Sequence, residues 1–91
     1  MITLTNETAG CVPDSEIERI GKSIVPELGG NGRSCTSPSF PGDDVVYDDS
    51  IGKINGSGLR GFIKVNGDVI AEVYDDGMPP KASCEVKKGI A

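Results

Sequence analysis

The dipeptide Asn66-Gly67 constrains this chain more than any other feature. It separates Phe62-Ile63-Lys64-Val65 from Val69-Ile70-Ala71-Glu72-Val73-Tyr74, two runs rich in β-branched and aromatic residues. Asn-Gly accepts positive φ at both central turn positions, which matches the twist of paired strands, so the two runs are expected to close as a tight hairpin. Gly56, Gly58 and Gly61 lie just upstream, where a sharp bend or a close backbone approach requires a residue without Cβ. Asp75-Asp76-Gly77 followed by Pro79-Pro80 is expected to end the second strand.

The rest of the chain sets limits around that hairpin. Its 91 residues are read as a single small domain, residues 1–91, which buries only a modest part of its surface. Hydrophobic residues make up 36% of it, with two Phe, two Tyr and no Trp, so the core is thin and aliphatic. Thirteen glycines and six prolines favour short strands with many turns over a helical bundle. The expected fold is therefore mainly β, a small domain of short strands and hairpins with many Gly turns and one short helix at about 15–25. A net charge of −5 with a pI near 4.5 argues against nucleic acid as a partner and is compatible with a basic protein surface. Met1-Ile2-Thr3-Leu4 shows no basic or apolar leader pattern, and no apolar run reaches membrane-spanning length, so synthesis in a cytoplasm without a signal peptide is expected.

In chain order, Ile2-Thr3-Leu4-Thr5 alternates apolar and polar and reads as a short strand at an edge. Asn6 to Val12 is turn-like and contains Cys11. Between Pro13 and Val25, Ile17, Ile20 and Ile24 fall on one helical face. Ser15 and Glu18 fit a capping box, and Asp14 and Glu16 place acid in the first turn. Gly21 costs about 1 kcal/mol there relative to alanine. Pro26 to Asp44 reads as a loop that includes Cys35. Its Gly29-Gly30-Asn31-Gly32 is only superficially a phosphate loop, because the Gly-Lys-Ser/Thr ending is missing. Val45-Val46-Tyr47 and Ile51 to Ile54 read as further short strands. Val46-Tyr47-Asp48-Asp49 recurs as Val73-Tyr74-Asp75-Asp76, a weak internal echo.

No enzyme chemistry emerges from these residues. There is no histidine, no Gly-x-Ser-x-Gly and no Cys-x-x-Cys, and the expectation is a non-enzyme. The acid pairs Asp43-Asp44, Asp48-Asp49 and Asp75-Asp76 are adjacent in sequence, and neighbours on a strand point to opposite faces, so they do not converge as an acid and a base must. Three readings stay open for Cys11, Cys35 and Cys84: small buried hydrophobes, one disulfide with a free thiol, or ligands converging on one soft metal with a fourth group or water.

Residues 45–84 resemble the PAAR-repeat proteins that tip the spikes of contractile phage tails and type VI secretion systems. Tyr47-Asp48-Asp49 stands where the family has a Gly-Asp turn, followed by Gly52-Lys53-Ile54 and Gly56-Ser57. Val65-Asn66-Gly67 matches the family's strand ending directly. Ile70-Ala71-Glu72-Val73-Tyr74-Asp75 resembles the next strand, with Tyr74 where glycine is usual, and Cys84 follows. The resemblance implies a structural, non-enzymatic spike tip in a virion tail baseplate or a secreted injection apparatus. Such a tip caps a trimeric β-spike or hub protein, one tip per trimer, and makes transient contact with the membrane it pierces. The family holds zinc with histidines and a cysteine. With no histidine here, the resemblance leaves Cys11, Cys35 and Cys84 as the ligands for one zinc or iron ion.

The alternative expectation comes from charge alone. A small acidic, phage-encoded inhibitor would use Asp43, Asp44, Asp48, Asp49, Asp75 and Asp76 on exposed turns to occupy a basic groove of a host defence complex.

Overall fold

The computed structural model of the chain describes residues 2–50 and 58–75. It is mainly β, with one helix and a single five-stranded antiparallel sheet among the described residues. The strands are β1 (Thr3–Asn6), β2 (Ser34–Thr36), β3 (Asp44–Asp48), β4 (Leu59–Val65) and β5 (Asp68–Tyr74), in spatial order β1-β5-β4-β3-β2. The helix α1 (Asp14–Ile24) and a 3₁₀ turn (Pro26–Leu28) connect the two edge strands. The expected strand at Ile51–Ile54, the Gly52 to Ser57 approach, Asp76 and Cys84 lie outside the described residues.

The hairpin forms as its turn residues dictate. Asn66 and Gly67 have φ of 51° and 83°, both left-handed, and join β4 to β5. Val69 pairs with Lys64 and Ala71 pairs with Ile63, so Ile70 is an extra residue on β5. This bulge explains why adjacent Ile70 and Ala71 are both fully buried, which strict alternation forbids. The Val-Tyr-Asp echo closes both β3 and β5, but in opposite sense. Val73 is buried where Val46 is exposed, so the two strands are not structural copies.

The helix lies across one face of the sheet. Ile17, Ile20 and Ile24 are at most 2% exposed and pack with Val45, Ile63, Val65, Ile70, Ala71 and Val73. Gly21 faces β1: a Cβ there would collide with the Leu4 side chain, so the lower helix propensity is offset by close helix–strand approach. The capping box does not form. The N-cap is Pro13, extended at φ −61° and ψ 149°, and no side chain caps the helix. Pro13 fixes the extended entry, and its carbonyl accepts from the amides of Glu16 and Ile17. Ser15 is one residue inside the helix, while Glu18 pairs instead with Lys22 at 3.4 Å.

The segment from Pro26 to Asp44 is not wholly loop. Gly29 closes the 3₁₀ turn at φ 94°, and the next three amides turn back onto the helix. Gly30, Asn31 and Gly32 donate to the carbonyls of Val25, Ser23 and Ile24 at 2.9–3.0 Å. The glycine run is thus a helix C-cap whose N–H groups are already used. It delivers the chain into β2, and Cys35 is a half-buried strand residue rather than a loop residue.

The opposite face of the sheet carries paired polar side chains, some across strands and some along one strand. Lys64 Nζ donates to Asp48 Oδ2 at 2.7 Å and stands 5.7 Å from the centre of the Phe62 ring. Arg60 pairs with Asp75, and Tyr74 donates its hydroxyl to Glu72 at 2.7 Å. That contact, with burial, pushes the Tyr74 phenol up to about 12. No helix among the described residues is long and apolar enough to cross a membrane.

Candidate functional site

The expected ligand set is spread out. Cys11 is an exposed free thiol in the loop after β1, at one edge of the sheet. Cys35 is a free, half-buried thiol in β2, the opposite edge strand. Burial pushes the Cys35 thiol up, with the Arg19 charge opposing. Among the described residues no three Cys, Asp or Glu side chains come together as a metal site, and Cys84 lies outside them.

The expected acids divide into two groups. Asp48 accepts from Lys64 and from the amide and hydroxyl of Ser50, at 2.9 and 2.6 Å. The Lys64 and Ser50 contacts hold its carboxyl well below the usual range. Asp75 is held by Arg60. Both are committed to pairs on the sheet, and Asp49 between them in sequence is exposed. Asp43 and Asp44 stand at the other end of the sheet, where β3 begins.

Strand direction shows what surrounds them. At that same end β1 finishes, α1 starts and the Asn66-Gly67 turn leads into Asp68. Glu7, Asp14, Glu16, Asp43, Asp44 and Asp68 therefore gather at one end, carried on residues 6–16, 36–44 and 66–68, none of which is Lys or Arg. Asp14 and Asp44 are exposed, and Glu7, Asp43 and Asp68 are half-buried. The bases Lys22, Arg33 and Arg60 lie toward the opposite end, where α1 finishes and β2 and β4 begin. Arg19, which reaches the Thr36 carbonyl, and Lys64, opposite Val69, lie nearer the acidic end and are paired with Glu16 and Asp48. Asn6 holds the loop that carries Glu7: its Oδ1 accepts from Thr8, and its Nδ2 donates to the Val12 carbonyl and to Asp14 Oδ1 at 2.7 and 2.8 Å.

No family model, no curated protein and no solved structure matches this chain. Its chemistry is read from its own residues. Within the acidic end, Glu16 differs from the others. It accepts a bidentate pair from Arg19 at 2.9 Å and the Ser37 hydroxyl at 2.5 Å, which ties the β2–β3 loop to the helix. The Arg19 and Ser37 contacts lower its carboxyl to about 2 from an ordinary 4.5. A depressed folded-state value means that the stabilisation is complete above the unfolded value and is lost as pH falls through the folded one. Between pH 4.5 and 2 the protein is expected to lose stability that a Glu16→Gln variant does not lose. The difference is about 1–2 kcal/mol, since the partner guanidinium is partly exposed. Urea unfolding of both proteins across that interval measures it.

Proposed function

We propose that the chain is a small non-enzymatic interaction module that docks through the acidic end of its sheet onto a basic protein surface. An inhibitor that fills the basic groove of a host defence complex would act in this way. The observation that carries this reading is the segregation of charge: Glu7, Asp14, Asp43, Asp44 and Asp68 share an end whose segments carry no Lys or Arg, and the nearby bases Arg19 and Lys64 are already paired with Glu16 and Asp48. Charge of one sign concentrated on one end steers association and sets its orientation. Asp48 and Asp75 drop out of the expected set because they already neutralise Lys64 and Arg60. Asp68 and Asp14 take their place.

The spike-tip reading draws less support from this architecture. A cone seated on a trimeric shaft needs three like edges, whereas the described residues form one helix-backed sheet with two unlike edges. The two readings part on salt. An acidic end loses affinity steeply with ionic strength, and a tip docked by strand ends and apolar contacts does not.

Poly-L-lysine serves as a defined basic probe. Replacing Asp43, Asp44 and Asp68 together by Asn is expected to weaken its binding about tenfold at low salt. Neutralising Glu18, Glu27 and Asp49 instead removes the same charge from elsewhere and is expected to weaken it far less. Equal losses in the two triple variants would remove the basis for an acidic docking end.

A further inference from the structure

The sequence carries Asn-Gly three times, at Asn31-Gly32, Asn55-Gly56 and Asn66-Gly67. Asn55-Gly56 lies outside the described residues. The other two pairs are both exposed, and the fold holds them in opposite ways.

Asn31 is fixed at both ends of its carboxamide. Its Oδ1 accepts from Arg33 N at 2.7 Å, and its Nδ2 donates to Ser34 O at 3.2 Å. The following amide, Gly32 N, donates to Ile24 O at 3.0 Å. Neither the side-chain carbon nor the next nitrogen moves without breaking a bond that caps α1 or leads into β2.

Asn66 stands at the tip of the β4–β5 hairpin. Val65 pairs with Asp68 and closes the ladder beneath the turn, so the sheet does not use the Gly67 amide. Among the described residues no hydrogen bond holds the Asn66 carboxamide or the Gly67 amide. A carbon added to Gly67 would have nothing within 4 Å, so the turn has room to rotate.

We propose that Asn66 is a self-modification site, the pair that the fold leaves free to convert to a carboxylate through its own backbone. The residue first rotates out of its left-handed conformation, a motion of the loop tip that leaves the ladder intact. Gly67 N then attacks Asn66 Cγ. The N–Cγ bond forms, the Cγ–Nδ2 bond breaks, and Nδ2 departs as ammonia with the proton given up by Gly67 N. Solvent water opens the five-membered imide. Opening at Cγ leaves aspartate, and opening at the backbone carbonyl leaves isoaspartate. Either product adds one negative charge two residues before Asp68, at the end that holds Asp43 and Asp44. The consequence for docking rests on the acidic-end reading, whereas the conversion itself does not.

The full chain, aged in mildly alkaline buffer and then cut with trypsin, tests the proposal by peptide mass. Asn31 and Asn66 fall in separate peptides, residues 23–33 and 65–81, and each is the only Asn or Gln in its peptide. Residues 65–81 are expected to convert about tenfold or more faster than residues 23–33, whose hydrogen bonds must break first. In urea, where no fold protects Asn31, the two rates are expected to converge. Equal rates in the native protein overturn the proposal, and so does a difference that persists in urea. Installing the product directly with Asn66→Asp keeps an Asp-Gly turn and is expected to tighten poly-L-lysine binding about twofold at low salt. Unchanged binding in that variant, alongside conversion of Asn66, counts against the acidic docking end and leaves the modification standing.

Discussion

Truncating Ile20 to alanine is expected to destabilise the protein by about 2–5 kcal/mol, the cost of deleting buried methylenes and leaving a partly collapsed cavity. Ile20 is fully buried at the middle of α1, with Ile17 and Ile24 on either side of it on the same face. The core beneath is thin: isoleucine, valine and alanine from the strands, with Phe40 and Tyr47 only packed against its margin. Nothing large is available to fill the gap, so the upper part of that range is expected. For a domain of this size, whose whole stability is of the order of 5–15 kcal/mol, such a loss takes up much of it. Urea unfolding with an unchanged m-value measures the effect, and Glu18→Ala on the exposed face provides the reference, expected within about 0.5 kcal/mol of the parent. A cost under about 1 kcal/mol for Ile20→Ala would mean that the helix does not cover the sheet.

Much of this architecture was legible where local chemistry and tertiary context agree. Asn66-Gly67 admits one turn, and the isoleucine spacing of α1 admits one buried face, so both elements follow from residue type. The capping box failed because Ser15 and Glu18 satisfy a spacing rule that takes no account of Pro13, whose fixed φ already sets the entry to the helix. Strand β2 was invisible for a different reason. Three residues between a glycine run and Pro38 have no periodicity to read, and the strand exists because Val45 and Tyr47 supply a ladder from outside. The bulge at Ile70 was hidden too, since consecutive apolar residues in a strand are also what a buried strand without a bulge displays.

The charged end was half legible. Sequence picks out Asp43 and Asp44 by their adjacency, and adjacency equally picks out Asp48, which the fold gives to Lys64. Asp68 goes unnoticed as a turn residue, and Asp14 as a helix-start acid. Their grouping depends on which strand ends share a side, and that is a property of topology. The one signal available in advance is negative: the segments 6–16, 36–44 and 66–68 all lack lysine and arginine. The charge chemistry of the site and the strand order must be known together before that absence means anything.

Gly30→Ala is expected to be the costliest of the glycine substitutions, at about 3 kcal/mol or more, from overpacking plus the loss of helix-capping hydrogen bonds. A Cβ on Gly30 would stand 2.5 Å from the amide nitrogens of Ile24 and Val25 and 2.6 Å from the Ile24 carbonyl carbon. These are backbone atoms at the end of a packed helix and have no rotamer by which to move aside. The loop must therefore retreat, and the amides of Gly30, Asn31 and Gly32 leave the carbonyls of Val25, Ser23 and Ile24 together. Retreat also moves Asn31 and Arg33, which place β2 beside β3, so the loss propagates from the helix end into the sheet edge. Gly29→Ala and Gly10→Ala separate this steric effect from conformational cost. Both glycines have positive φ, 94° and 87°, but open space around the added carbon. Each is expected to cost only about 1–2 kcal/mol, the price of a left-handed non-glycine residue. Thermal unfolding of the three variants should place Gly30→Ala lowest, with the Cys35 amide, which faces β3, exchanging fastest in that variant. If the three melt together, the close contact between the glycine run and the helix end is not what holds β2 in the sheet.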